Sequence, residues 1–509
     1  MRSRWIAGVV AVATAVGLAG CGTAAEPDGP SEIRIGVSPD QLSGVYDVVI
    51  RNLYALDMKA VYDPLFQVDT VTNDLVPGLA TGYEQNDDWR EVTITLRDGV
   101  TFTDGEELTA QGVVDYFNAL AARADWWQKA QWDTYSPTVE VVDDMSFKIS
   151  SDTPMDFRSR GLLYELFRST PIVSPAVVGD LDSLTDKAVG AGAYIVDKAT
   201  VGVSVTLTRN PDYWDQDSYP YDTMILNVYA DDVAALNALK ADQIDATRLT
   251  NQLAADAEAQ GFVLNEGLGR FTAMYVADRE GTLLPPVADQ RVRQAMALAF
   301  DREQINETLN QGYGTVTSQP FHPSLPEYVE GGDDMYPYDP DQARELMAEA
   351  GYADGFDVTL PTTPFLNINQ WDAVVQQYLG DIGIRVTYKN YSDTGEYFTA
   401  LIAGEYPLFY YSEVFVQALP VFMTPEAIFN VFIREGDQKI TDLWKTVQQA
   451  GDQDEADAAA QELGQYIMDE AFLVPFAAVD YLWLSKEGIS VNVGSSGENI
   501  RPFDFQPSS

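Results

Sequence analysis

One histidine and one cysteine stand in a chain of 509 residues, and that scarcity excludes much metal and nucleophile chemistry. A single imidazole, His322, supplies neither a His-x-x-x-His zinc site nor a two-histidine iron triad. It sits in Phe321-His322-Pro323, a loop context that offers no support for a serine triad. A single thiol makes no internal disulfide, so the core must hold the fold unaided. There is no Gly-x-Ser-x-Gly elbow and no phosphate-binding loop, and Gly190-Ala191-Gly192 lacks the third glycine of a dinucleotide fingerprint. Positive charge is scarce as well. With 31 Lys and Arg against 78 Asp and Glu, a net charge of −47 repels nucleic acid and anionic headgroups. No short tandem repeat is present, which excludes solenoids and propellers. Carboxylate-pair chemistry is the one enzyme class left open, because so many acids form pairs by chance. No metal and no cofactor is expected.

The N-terminus carries its own pattern. Met1-Arg2-Ser3-Arg4 is a basic segment, followed by an apolar run from Ile6 to Leu18. That run is shorter than the roughly 20 residues a membrane-spanning helix needs, and it has the flanks of a secretory signal. It ends in Leu18-Ala19-Gly20-Cys21, which resembles a bacterial lipobox. The expectation is a signal peptide over 1–20, a lipidated Cys21, and a tether over 21–31 that is rich in Ala, Pro, Asp and Gly. Cleavage removes Arg2 and Arg4 and no acid, so the charge deepens by two. No other stretch is apolar and long enough to span a bilayer, so the mature chain is expected outside the cytoplasm, anchored to the membrane and not crossing it.

Beyond the tether, short strands alternate with amphipathic helices, the pattern of an α/β protein. Ile33 to Val37, Glu91 to Leu96 and Val203 to Leu207 alternate as strands. Thr109 is a candidate N-cap, with Val113, Phe117 and Leu120 on one face. Asp289 opens a second helix that carries Val292, Ala295, Met296 and Ala299. Asp339-Pro340 opens a third, with Ala343, Leu346, Met347 and Ala350 facing inward and a stop at Gly351.

Several segments together resemble the extracellular solute-binding protein family 5, the peptide, dipeptide and nickel receptors of ABC importers. Tyr62-Asp63-Pro64-Leu65-Phe66 and Leu75-Val76-Pro77-Gly78-Leu79-Ala80 are similar to its opening segment. Leu96 through Gly105, continuing to Leu108-Thr109-Ala110, resembles its hallmark block of strand, Gly turn, short strand, Asp-Gly turn and capped helix. Gly112 departs from that block, where an acid is usual, and is expected to weaken its helix slightly. Gly190-Ala191-Gly192-Ala193-Tyr194, Asn210-Pro211-Asp212-Tyr213-Trp214, the block Arg291 to Arg302, Tyr338 to Tyr352, and Gly383-Ile384-Arg385-Val386 follow in family order.

The resemblance implies a two-lobed periplasmic-binding-protein-like fold of type II, in the large cluster, with an inserted subdomain and a ligand cleft between the lobes. Lobe I would comprise 32–60, 176–270 and 476–509, the inserted subdomain 61–175, and lobe II 271–475. The implied function is an extracytoplasmic receptor, monomeric, that closes on a small molecule or oligopeptide and delivers it to an ABC permease with its ATPase subunits. A sensor or chaperone using the same cleft is the alternative, and a secreted carboxylate-dependent hydrolase is a rival from another class.

Ligand contacts are expected from Asp40 and Tyr46 after the first strand, from Asn367, and from Tyr411, Glu413 and Phe415. In peptide-binding relatives the last region carries a Trp and then an Asp that pairs with the peptide's amino terminus. An ungapped reading places Glu413 at the Trp and Val416 at the Asp, so the ammonium partner is missing and Glu413 is the substitute. Peptide, sugar and carboxylate chelate all remain open as ligands. Trp126-Trp127 is expected to pack rather than to cover the cleft.

Overall fold

A computed structural model of the chain describes residues 32–508, apart from 40, 70–74, 87–88, 154, 156–161, 186, 324, 416–417, 425–426, 428, 433–436, 451–452 and 495–499. One large sheet organises these residues. Its strands are β1 (Glu32–Val37), β2 (Tyr194–Thr200), β3 (Ser204–Arg209), β4 (Thr223–Val228), β5 (Ala246–Leu249), β6 (Val263–Val276), β7 (Leu408–Val414) and β8 (Leu473–Ser485), in the order β7-β6-β8-β5-β1-β4-β3-β2. β1 runs parallel to both β4 and β5, and every other pairing in this sheet is antiparallel.

Most buried apolar side chains sort into two cores. One gathers Ile33, Ile35, Leu207, Leu226 and Trp483 with residues between Tyr62 and Phe167. The other gathers Phe271 to Ala277, Phe300, Trp371, Leu408 and Phe476. In the second, Phe300 stacks on Phe476 at 4.8 Å, and Trp371 meets the same ring edge-on. Each such buried ring contributes on the order of 2 kcal/mol from area alone.

A separate four-stranded antiparallel sheet takes Ala80–Gln85, Glu91–Leu96, Ser146–Ser150 and Thr138–Asp143, in that spatial order. The hallmark block forms here as the sequence predicts. Gly99 and Gly105 take positive φ at their two turns, and the Thr109 side chain accepts from Gly112 N at the start of the helix Ala110–Ala121. Gly112 has a packing reason. A Cβ there would lie 2.7 Å from Pro175 Cγ, so its absence lets the helical segment Pro175–Thr185 approach. Gly190 and Gly192 serve likewise, because a Cβ on either would meet backbone at Val61.

The expected caps at Asp289 and Asp339 are present. Asp289 accepts from Arg291 N, and Asp339 accepts from Gln342 N, with Pro340 next and Gly351 at φ +89° beyond the end. Trp126 is buried against Trp132 at 5.4 Å, so it packs. His322 lies half-buried in a turn closed by Leu325 N on its carbonyl. No described helix is long and apolar enough to cross a membrane.

Candidate functional site

Two strands join the cores. β6 and β8 are hydrogen-bonded along their lengths, from Val263↔Ser485 at one end to Tyr275↔Leu473 at the other. At the first end their neighbour is β5, where Ala246 and Trp483 join the first core and Leu249 and Leu484 a smaller cluster; at the second it is β7, in the other core. The pairing breaks register between Gly267 and Arg270, where Gly267 faces Tyr481 and Arg270 faces Val479. Such a bulge bends and twists the pair locally. Both flanking glycines are required by contact. A Cβ on Gly269 would lie 2.0 Å from the Val479 carbonyl oxygen, and one on Gly267 would lie 2.4 Å from Val493 Cγ1.

Charged groups concentrate at this crossing. Arg270 donates from Nε to Tyr481 Oη at 3.1 Å and from Nη1 to the Ser412 carbonyl at 3.2 Å. The same guanidinium stands 3.8 Å from Glu413, and both side chains keep partial exposure, 25% and 15%. Thr272 and Ser412 share a hydroxyl hydrogen bond of 2.6 Å beneath them. Arg248 lies over the Tyr481 ring at 5.4 Å, a second cation on the neighbouring strand. Asp480 immediately precedes Tyr481 in the chain. Burial pushes its carboxyl up to about 6, against a hydrogen bond from Thr315 at 3.3 Å, and the charge of Glu266 adds to the rise. Beside the crossing, Asn251 donates to the Tyr313 carbonyl, and Tyr313 Oη donates to Glu258.

The residues expected from sequence fall in different places. Glu413 is at the crossing, opposite Phe271 in register. Tyr411 is buried among Phe398, Phe422 and Phe429, with ring centroids 5.4 to 6.2 Å away. Phe415 is buried too, 5.1 Å from Phe271. These two rings form a wall of the second core beside Glu413. Tyr46 is 3% exposed in the first core, near Asp57, and stands apart from the Glu413 group. Asn367 falls in the helical turn Phe365–Trp371, its side chain outside the described set. Asp40, Val416 and Cys21 lie outside the described residues.

Arg270, Tyr481, Arg248 and Asp480 escaped the sequence reading. One signal was available for Arg270. It is the only base between Val263 and Val276, in a chain where acids outnumber bases by more than two to one, and it follows two glycines in Gly267-Leu268-Gly269.

A two-lobed body with its charged groups at a strand crossing defines a class, the clamshell solute-binding proteins. Residues 74–424 match the family described as bacterial extracellular solute-binding proteins, family 5, middle region, and the chain belongs to that family. The chain is 26% identical over 338 residues to heme-binding protein A of Haemophilus influenzae, a match that covers 62% of this chain and 60% of that protein. It is 24% identical to di/tripeptide-binding protein 1 of Pseudomonas aeruginosa, covering 68% and 69%. Among solved structures, NikA from Brucella suis in complex with Fe(III)-EDTA superposes with a TM-score of 0.76 at 18% identity, covering 94% of this chain and all of the other. The fold is the two-lobed periplasmic binding fold, and a ligand-binding role fits it. Members of the family are extracytoplasmic receptors that work with ABC permeases.

Proposed function

We propose that this chain captures a small organic solute, with a short peptide as the first candidate, by closure of its lobes, and hands it unaltered to an ABC permease. The observation that carries the reading is the crossing at Gly267–Arg270, where two paired strands join the lobes next to partly exposed charged side chains. Bending at that break moves one core against the other while leaving each packed, and a solute touching both lobes favours the closed form.

Arg270 and Glu413 offer a cation and an anion side by side. Both side chains keep partial exposure, so together they present charges of both signs to a solute that carries both. A short peptide is such a solute, and the Pseudomonas relative is named for binding one. Tyr411 and Phe415 hold the strand end that presents Glu413, and Asp40, Tyr46 and Asn367 are further candidates for contact. The lobe division proposed is 32–60 with 176–270 and 476–509, against 271–475, with 61–175 inserted. No covalent step is asked of any residue, so the chain acts as a receptor and not as an enzyme. Residues 1–20 act as a signal peptide, and lipid on Cys21 keeps the monomeric receptor near its permease.

The test is mass spectrometry of whatever solute leaves the purified protein on denaturation, followed by calorimetry with that compound. Arg270→Gln and Glu413→Gln are each expected to weaken binding about tenfold or more. Small-angle scattering is expected to show contraction on binding. Chemical conversion of the compound, or a shape indifferent to it, overturns the proposal.

A further inference from the structure

A pocket opens beside the first core, and no residue between 271 and 475 lines it. It holds a cavity of about 50 Å³ where three distant stretches of chain meet. Lys59 comes from the helix Leu56–Val61, Arg168 from the helix Leu162–Ser169, and Arg501 from the segment leading into the turn Pro502–Asp504. One acid, Asp63, joins them in the lining. In the lining itself three bases meet one acid, against 31 bases to 78 acids in the whole chain, and Asp504 stands behind Arg501 as a second acid outside the lining. Nothing local in the sequence forces this meeting, because more than a hundred residues separate Lys59 from Arg168 and more than three hundred separate Arg168 from Arg501.

The lining groups are also fixed. Arg501 donates from Nη1 to Gln67 Oε1 at 3.0 Å and lies over the Phe503 ring at 4.1 Å. Its Nε is buried with no hydrogen-bond partner, 3.9 Å from Asp504. Lys59 Nζ donates to the Ile500 carbonyl at 3.1 Å. Asp63 is buried and accepts from Trp214 Nε1 at 2.9 Å. Cations gathered in a walled pocket focus an attractive field on anions, even in a body of negative charge. The rest of the wall is largely apolar, with Leu53, Tyr54, Pro64 and Val68.

From this we infer a second ligand site, in the first lobe alone, for a small organic carboxylate whose head lies among Lys59, Arg168 and Arg501 and whose short apolar tail rests on Tyr54 and Val68. The site is separate from the crossing at Arg270, and it stands whether or not the solute proposed above is correct. A bound carboxylate ties the segment carrying Arg168 to the C-terminal segment carrying Arg501, and so stabilises the lobe by mass action.

The experiment is a thermal-shift and calorimetric series on the purified full chain with acetate, butyrate and hexanoate, and with inorganic phosphate and sodium chloride at matched ionic strength. Butyrate is expected to raise the melting temperature saturably in the millimolar range, with affinity rising about fourfold per added methylene until the tail outgrows the wall. Arg168→Gln is expected to weaken butyrate about tenfold or more, and Lys59→Gln to do the same if the first variant folds poorly. Arg270→Gln is expected to leave butyrate binding unchanged. A shift no larger than that with sodium chloride overturns the site. A shift lost in Arg270→Gln but kept in Arg168→Gln overturns its location, and phosphate binding more tightly than butyrate overturns the ligand class.

Discussion

Replacing Gly269 by alanine puts the strand crossing under direct strain. The added methyl would sit 2.0 Å from the Val479 carbonyl oxygen, a backbone atom paired into the neighbouring strand. Relief needs more than 1 Å of movement by one strand against the other. Overpacking of this kind costs about 1–3 kcal/mol, and the upper end applies because a backbone carbonyl has no alternative rotamer. At roughly 2.1 cal/mol/K per residue, unfolding 509 residues carries an entropy of about 1 kcal/mol/K, so the melting temperature should fall by about 3 °C. Gly380→Ala is the matched control. Its helix Asp372–Asp381 has open space at that position, and alanine there should stabilise by about 0.5–1 kcal/mol. Differential scanning calorimetry reads both, and small-angle scattering with and without bound solute reads whether Gly269→Ala also shifts lobe closure. If Gly269→Ala melts and closes like the wild type, the crossing is not the tightly specified joint argued here.

Three other outcomes are expected. Arg302 is buried, and it donates to the carbonyls of Pro475, Tyr336 and Ala297 at 2.8 to 3.0 Å; burial lowers its guanidinium to about 10. Arg302→Met strands those carbonyls and should cost more than about 3 kcal/mol in urea unfolding; a cost under about 1 kcal/mol refutes that role. Burial raises Asp63 to about 6 and Asp504 to about 7. Both values lie above the ordinary 3.8, so their contribution to stability is full below about pH 4 and is lost as pH rises through 6 to 7. Asp504→Asn should therefore flatten the stability profile between pH 5 and 8 in denaturant titrations, and an unchanged slope counts against the argument. Asn251→Ala removes the donor to the Tyr313 carbonyl, and scattering should show a more open average shape with each core's melting unchanged.

Local signals in the sequence carried the elements whose chemistry is local. Glu91–Leu96 alternates cleanly because one face of its sheet is wet, and Asp339-Pro340 with Gly351 brackets a helix by capping alone. The crossing strands were harder. Positions 270/271 and 475/476, where the family resemblance divides the lobes, fall inside β6 and β8 and not in loops; Pro475 sits within its strand, and no polar cluster marks either position. The candidate site was hard to read for a related reason. Leu408–Val414 is buried at every position but Glu413, so no alternation separates a cleft-facing ring from a core ring, and Tyr411 reads like either. Arg270 meets Tyr481 only because strands about two hundred residues apart pair in one register, and spacing along the chain holds no trace of that.

The paired crossing also governs how the chain can be cut and rejoined. Phe271 and Ala478 are register partners, so the whole excursion between them, which includes the far ends of β6 and β8 and all of β7, departs from and returns to the rest of the sheet at one spot. A tight turn joining those two points would excise one half of the molecule and leave the other with its strand order intact. Conversely, a protease nick in the excursion leaves both halves tethered by the surviving strand pair.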